Sequence, residues 1–179
     1  ASKEGNVFVT DKSDTIVRIS NGTSRPIVII DDLQYVMVHE FMRRVLDKES
    51  GNAAFAKYNE IARSVWDIIN AAAQAGDVKR VYMLSHTQNS EDGNVKIKTI
   101  GKLLDEKITI EGMFTMVMRT SVNQGSYLFS THNSGHDTVK TPLGMFVDDY
   151  IPNDLAAVDA AIKEFYEIGD SVSLVNQAA

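Results

Sequence analysis

The sequence contains no cysteine among its 179 residues and only three prolines. Without cysteine the chain can form neither disulfide bonds nor thiolate metal sites, which agrees with a reducing compartment. No apolar run approaches the roughly 20 residues of a membrane span, and no signal-peptide pattern opens the chain. We therefore expect a soluble, cytoplasmic protein with no membrane partner.

A phosphate-binding loop is also missing. The pattern G-x-x-x-x-G-K-[ST] occurs nowhere, and Gly101-Lys102 is followed by leucine instead of a hydroxyl residue that could bind Mg²⁺. Either the chain is a piece of a larger protein whose phosphate loop lies upstream, or it binds no nucleotide. The opening Ala1, with no initiator methionine, favours the first alternative.

A net charge of −6 argues against a protein that coats nucleic acid through its overall field. A local basic site is still possible around Lys96, Lys98 and Lys102. A strand over residues 95–100 would place Lys96 and Lys98 on one face. Such a face is typical of a solvated edge strand guarded by lysine, and it also suits contact with the phosphates of DNA or of a nucleotide on a neighbouring subunit.

The strongest single feature is a run of Ile and Val at Ile27–Ile30 that ends in Asp31 and Asp32. Four β-branched residues in succession predict a strand buried on both faces, as in a parallel sheet. Ligands of open α/β sheets bind at the carboxyl ends of such strands. The two acids therefore suit Mg²⁺ binding and activation of water, or they simply cap the turn or the next helix.

A second apolar run at residues 80–86 ends in Ser85 and His86. Helical periodicity over residues 34–48 and from Phe55 to near Gly76 separates the two runs, so the segment predicts a βαβ crossover with parallel strands. Ser85 and His86 should then emerge at the same sheet edge as the acids. His86 alone could equally be a hydrogen-bonded structural residue.

The rest of the chain predicts further short strands, helices and one polar loop. Loop 132–146, with His132, His136 and Asp137, could form a metal cluster, but more plausibly approaches the nucleotide edge or a partner subunit with Lys140 at its tip. The other expected elements are a strand at Val7–Val9, a helix over 13–19 capped by Ser13 or Asp14, an excursion with Asp92-Gly93 at its turn, antiparallel strands over 113–119 and 127–131, and a helix over 154–168.

Taken together, four segments resemble the phage-encoded AAA/RecA-like ATPases related to the Sak4 type of single-strand-annealing recombination ATPase. The segments are residues 27–35, 84–87, 98–105 and 140–146. The resemblance covers most of the chain and implies one domain over residues 1–179, a RecA-like three-layer P-loop NTPase core with a mostly parallel sheet and antiparallel C-terminal strands. It also implies a phosphate-loop segment ahead of Val7.

The resemblance further implies roles for individual residues. Asp31 would hold Mg²⁺, Asp32 would activate water, and His86 would occupy a phosphate-sensing position. Ser85 is a candidate for the same phosphate contact through its place at the strand end, and not through the resemblance. Lys98, Lys102 and Lys140 would reach a nucleotide across a subunit interface. The implied function is ATP hydrolysis coupled to single-stranded DNA, in a homo-oligomeric ring or filament with recombination or replication proteins in the bacterial host cytoplasm.

Two other functions stay open on the sequence. One is a non-catalytic interaction module that keeps the sheet without hydrolysing nucleotide. The other is a metal-dependent hydrolase or nuclease that uses Asp31, Asp32 and residues 132–137.

Overall fold

The computed structural model describes residues 2–47, 51–76 and 78–169. The chain is a mixed α/β protein with small sheets, and it divides into two compact units on either side of the bond between Phe114 and Thr115. In the described residues, no helix is both long and apolar enough to span a membrane.

The first unit contains six strands and three α-helices within its described residues. The elements are β1 Ser2–Glu4, β2 Val7–Val9, α1 Ser13–Gly22, β3 Ile27–Ile30, α2 Leu33–Arg43, α3 Asn52–Ala73, β4 Arg80–Met83, β5 Thr87–Asn89 and β6 Val95–Ile97. Two of its sheets are antiparallel pairs, β1 with β2 and β5 with β6, whereas β3 and β4 pair in parallel. A π-helical turn at Leu103–Lys107 and a 3-10 helix at Ile110–Met113 end this unit.

The parallel pairing of β3 with β4 confirms the predicted crossover. Ile27 lies opposite Arg80 and Ile30 opposite Met83, and helices α2 and α3 form the connection. The expectation of a mostly parallel sheet is not met, since this is the one parallel pair in the described residues. The other paired strands of the first unit, β1 with β2 and β5 with β6, follow one another after short connections, which favour antiparallel pairing.

The core of the first unit lies along one stripe of α3. Ile61, Val65 and Ile68 are at most 2% exposed, and they recur at helical spacing as predicted. Leu33 and Met37 of α2 are buried in the same apolar cluster. Trp66 lies beside the stripe at the rim, with 39% of its surface exposed.

Burial of β3 on both faces was predicted and is wrong. Ile27 and Ile29 are 39% and 54% exposed, while Ile30 is buried. Because successive strand residues point to opposite faces, the alternation shows that the described chain covers only one face of β3. A second correction concerns α1: its N-cap is Lys12, which makes no side-chain capping bond, while Asp14 accepts from the Thr15 N–H at 2.7 Å inside the first turn.

The second unit is a three-stranded antiparallel sheet followed by a helix. Strands β7 Arg119–Asn123 and β8 Ser126–Ser130 form the predicted hairpin, and β9 Tyr150–Pro152 pairs with β8. The turn places Gln124 and Gly125 at positive φ, the backbone conformation that such tight hairpins need. Helix α4 spans Leu155–Phe165 and buries Val158 and Ile162, as its periodicity predicted.

The hairpin differs from the prediction in where its first strand begins. The sequence predicted a strand over residues 113–119, but Met113 ends the 3-10 helix and Val117 makes only an isolated bridge to Lys140. Regular pairing begins at Arg119 because β8 supplies partners only from Ser126 to Ser130.

Candidate functional site

The parallel pair aligns the two strand ends that the sequence singled out. The Leu84 N–H donates to the Ile30 carbonyl at 2.9 Å, and the Leu33 N–H donates to the Leu84 carbonyl at 2.9 Å. The chain therefore leaves β3 and β4 at the same edge. There, His86 Nε2 lies 3.2 Å from Asp32 Oδ2.

Asp32 caps helix α2 in addition to contacting His86. Its Oδ1 accepts hydrogen bonds from the N–H groups of Gln34 at 2.7 Å and Tyr35 at 3.2 Å, so it caps α2. Oδ2 remains for His86, and only 12% of the Asp32 side chain is exposed. The peptide bond between Asp31 and Asp32 is cis. The capping interpretation is thus confirmed for Asp32, and capping leaves one carboxylate oxygen for a second contact.

Asp31 is the exposed acid of the pair. Within the described part of the chain, its carboxylate makes no hydrogen bond or ion pair, and no group of three or more His, Asp or Glu side chains could hold a metal ion. Mg²⁺ usually binds proteins through one or two carboxylates, with water and substrate phosphates as its other ligands. A lone exposed carboxylate at a strand end fits that partial kind of site and does not fit a complete protein cage.

Ser85 and His86 differ in exposure. The Ser85 hydroxyl oxygen is buried and has no hydrogen-bond partner among the described residues, an uncommon state for a buried polar group. The His86 side chain is 59% exposed, and its ring meets Tyr35 edge-on at a centroid distance of 5.8 Å. His86 can therefore reach a ligand at this edge while Asp32 orients its ring.

The three lysines of the predicted local basic site, Lys96, Lys98 and Lys102, have different surroundings. Lys96 Nζ lies 2.8 Å from Asp105 Oδ1, an oxygen that also accepts from Gln88 and Thr99. The hydrogen bond from Lys96 holds the pKa of Asp105 below its ordinary value, aided by the Lys96 charge and the other two donors and opposed by burial. Lys102 lies 3.7 Å from Glu106.

Lys98 is placed where the sequence did not predict it. Strand β6 ends at Ile97, so Lys98 lies outside the strand that was expected to align it with Lys96. Its N–H donates to the His86 carbonyl at 2.8 Å, and its side chain is exposed. Lys98 is therefore tied by its backbone to the edge that carries His86 and Asp32.

Lys140 and loop 132–146 belong to the second unit. The Lys140 backbone exchanges two hydrogen bonds with Val117, at 2.8 and 2.9 Å. Asp137 accepts from Ser134 and from the Val139 N–H, while His132 lies 3.3 Å from Asp149. These hydrogen bonds stabilise the turns of the loop and so account for its polar residues. Among the described side chains of the loop, no group of three or more His, Asp or Glu could hold a metal ion.

Sequence reasoning missed the exposed rings of α2. Tyr35 is one of the apolar positions in the helical period over residues 34–48, yet it is 51% exposed and lies between His86 and His39. His39 Nδ1 in turn lies 3.4 Å from Asp11 Oδ2. The spacing of Tyr35 and His39, four residues apart on one helix, was the available signal, because such residues share a face.

The chain was compared with protein-family models, with curated proteins and with solved structures. None of these comparisons finds a match.

Proposed function

We propose that this chain is part of a RecA-like, three-layer ATPase core from a phage recombination or replication protein, of the kind related to Sak4. Its reaction is Mg²⁺-dependent ATP hydrolysis coupled to single-stranded DNA. The observation that carries the proposal is the contact between Asp32 and His86 across the ends of two parallel strands, beside the exposed carboxylate of Asp31. Ligands of α/β sheets bind at such edges.

The residues at this edge divide the chemistry among them. Asp31 is free to bind Mg²⁺, which would neutralise charge on the transferred phosphoryl group. Oδ2 of Asp32 and the His86 ring are placed to orient the attacking water, since capping engages only Oδ1. The Ser85 hydroxyl is buried and has no partner among the described residues, so a phosphate oxygen or that water reaches it only where nucleotide binding opens this edge.

Phosphate binding needs a further element, because the sequence has no phosphate loop. Backbone N–H groups and a lysine of such loops supply most contacts to the β- and γ-phosphates. We therefore expect the isolated 179-residue chain to bind ATP weakly and to hydrolyse none detectably. In the native protein, the loop would be contributed by a segment outside these residues.

The DNA contact assigned to this edge centres on Lys98. Lys96 is engaged by Asp105 and Lys102 lies near Glu106, whereas the exposed Lys98 follows β6 and is bonded through its backbone to His86. A chain of net charge −6 has too little positive charge to hold DNA as a monomer. Repetition of Lys98 in a ring or filament would supply a continuous basic strip.

The proposal is tested by Asp31→Asn in a native protein that contains these residues and a phosphate loop. The substitution removes the charge but keeps the size, so Mg²⁺-dependent ATP hydrolysis should fall by about 10²-fold or more. The melting temperature should stay unchanged, because Asp31 is exposed. Asp148→Asn, at another exposed acid, is the matched control and should hydrolyse ATP normally.

Two results would contradict this assignment. Near-normal hydrolysis by the Asp31→Asn protein together with a lower melting temperature would return Asp31 to a structural role. Robust hydrolysis by the isolated 179-residue chain would show that no separate phosphate loop is needed.

The DNA assignment is tested by comparing Lys98→Ala with Lys96→Ala in the same native protein. Each phosphate contact releases counterions, so losing one should weaken binding of a single-stranded oligonucleotide and flatten its salt dependence. We expect both effects for Lys98→Ala and neither for Lys96→Ala, because Lys96 is already paired with Asp105. If both variants bound the oligonucleotide as tightly as the parent at low salt, neither lysine would contact DNA.

A second candidate function is a non-catalytic interaction module. It is favoured by the exposed apolar face of β3, where Ile29 is 54% exposed, because parallel strands are normally covered on both faces. The two candidates make different predictions for ATP hydrolysis. The ATPase should lose hydrolysis in Asp31→Asn, whereas an interaction module should hydrolyse no ATP with or without this substitution.

A further inference from the structure

Glu111 is a buried acid that the chemistry assigned to the strand ends does not use. It lies in the 3-10 helix at Ile110–Met113, and only 7% of its surface is exposed. Its Oε1 accepts a hydrogen bond from the Ile97 N–H at 2.6 Å. Glutamate is rarely buried to this extent unless it is paired, and the partner here is a backbone amide at the end of β6.

The N–H groups of Ile97 and Lys98 leave the backbone in opposite directions. Ile97 lies opposite Thr87 of β5, and the Lys98 N–H donates to the His86 carbonyl at 2.8 Å. Because hydrogen-bonded and non-hydrogen-bonded pairs alternate along an antiparallel ladder, the Ile97 N–H points away from β5. Glu111 accepts it on that outer side. The end of β6 is therefore held on both sides, by Glu111 and by His86.

The core fixes where Glu111 lies. The preceding residue, Ile110, is 2% exposed and belongs to the apolar cluster of the first unit, against which Phe114 also packs. The segment that Glu111 holds leads instead to exposed side chains, those of Lys98 and His86. A hydrogen bond to an ionised acceptor is about twice as strong as a neutral one, which suits a contact between the core and an exposed strand end.

We propose that Glu111 is a positioning residue of the candidate site. Through the Ile97 amide it fixes the end of β6, and through the Lys98 amide that end fixes the backbone of His86. The His86 ring is then held 3.2 Å from Asp32. The inference rests on the proposed function, because it says what keeps His86 in place to orient the attacking water. Glu111 itself has no contact with nucleotide or water in the proposed reaction.

The first test measures amide hydrogen exchange at single residues in the native protein that contains these residues and a phosphate loop. Glu111→Ala should speed exchange of the Ile97 and Lys98 amides by at least about 10-fold, because a charge-assisted hydrogen bond that closes this strand end is lost. The Leu84 amide, which donates to the Ile30 carbonyl, should exchange as in the parent. Glu111→Gln keeps an acceptor oxygen and should retain most of the protection.

Two further variants separate this local effect from a general loss of stability. Ile16→Val is the matched control, because Ile16 is a buried member of the same apolar cluster. It should lower the melting temperature slightly without singling out the Ile97 and Lys98 amides. Where Glu111→Ala does not fold, Glu111→Asp replaces it. Aspartate is one methylene shorter and should lose the bond to Ile97, although it keeps the charge.

The second test measures steady-state ATP hydrolysis by the same variants. A displacement of about 1 Å in a catalytic group can lower the rate by about 10²-fold. Glu111→Ala should therefore lower kcat by about 10- to 100-fold and leave the KM for ATP unchanged, since the nucleotide contacts stay in place. Glu111→Gln and Ile16→Val should both hydrolyse ATP nearly as the parent does.

The outcomes distinguish the inference from the proposed function. An unprotected Ile97 amide in the parent, or equally faster exchange at Leu84 and Lys98 in Glu111→Ala, would overturn the inference and leave Glu111 as a general stabilising residue. Local loss of protection with a normal kcat would overturn the positioning role while the proposed function stands. A parent that hydrolyses no ATP would overturn the proposed function and, with it, this inference.

Discussion

Two helices of this chain begin in the same way, but only one of their capping acids meets a second strand end. Asp32 accepts from Gln34 and Tyr35 at 2.7 and 3.2 Å, and Asp154 accepts from Ala156 and Ala157 at 2.8 and 3.2 Å. The local geometry is nearly identical. Capping therefore explains why both positions are aspartate, but it does not explain what else surrounds Asp32.

The difference lies in what precedes each cap and what lies opposite. Asp32 follows a parallel strand and an exposed acid, and its second oxygen contacts His86 from a neighbouring strand end. Asp154 follows β9, an antiparallel strand, and its own N–H returns to the Pro152 carbonyl at 2.7 Å. An acid at a helix start becomes a candidate for chemistry when a second chain segment converges on it.

The largest expected difference is in activity. Asn caps helices about as well as Asp, so Asp32→Asn and Asp154→Asn should each change the free energy of unfolding by less than about 0.5 kcal/mol. Under the proposed ATPase function, Asp32→Asn in the native protein should lower kcat by about 10²-fold or more, because an amide cannot accept a proton from water. Asp154→Asn should leave kcat unchanged. Steady-state hydrolysis and urea unfolding of both variants check this, and equal kcat values would reduce Asp32 to a cap.

A smaller difference is expected in stability when the caps are removed altogether. Asp154→Ala should lower the free energy of unfolding by about 1 kcal/mol, the usual contribution of an N-cap. Asp32→Ala should cost about 1 to 2 kcal/mol, since it also removes the partner of His86. Urea unfolding of the two variants measures both values. A larger loss for Asp154→Ala would show that the His86 contact adds nothing to stability.

The smallest effect concerns Asp105, an acid whose partners are side-chain donors instead of a helix start. Because its pKa is lowered in the folded state, its stabilisation is present above the unfolded value of about 3.9 and is lost as pH falls through the folded pKa. Lys96→Met removes the main cause, so the Tm should fall less steeply with acidification below about pH 4. The total effect should be at most about 1 kcal/mol, since the pair is partly exposed.

Thermal melts of the parent and Lys96→Met between pH 2 and 6 provide the measurement. Lys102→Met is the matched control, because Lys102 lies 3.7 Å from Glu106 and does not contact Asp105. If the Tm of the parent and of Lys96→Met changed with pH in parallel, Lys96 would not contribute to the loss of stability in acid.

The sequence correctly predicted the features that depend on contacts between residues close together along the chain. The apolar period of α3, the turn at Gln124 and Gly125 and the amphipathic helix α4 all follow from contacts within a few positions. The expectations that failed depend on distant chain segments. Burial of β3 requires other segments to cover both of its faces, and the length of the strand predicted over residues 95–100 requires a partner strand that continues opposite it past Ile97.

The sequence by itself determined that Asp31, Asp32, Ser85 and His86 follow two apolar strands, because strand propensity and helical spacing are local properties. Only the tertiary structure decided that Asp32 meets His86, that Tyr35 is exposed between two histidines, and that Lys96 is engaged by Asp105. The physical reason is that a crossover of two helices separates Asp32 from His86 along the chain, so no contact between neighbouring residues brings them together. Their distance is therefore fixed by the register of β3 against β4, which no local pattern encodes.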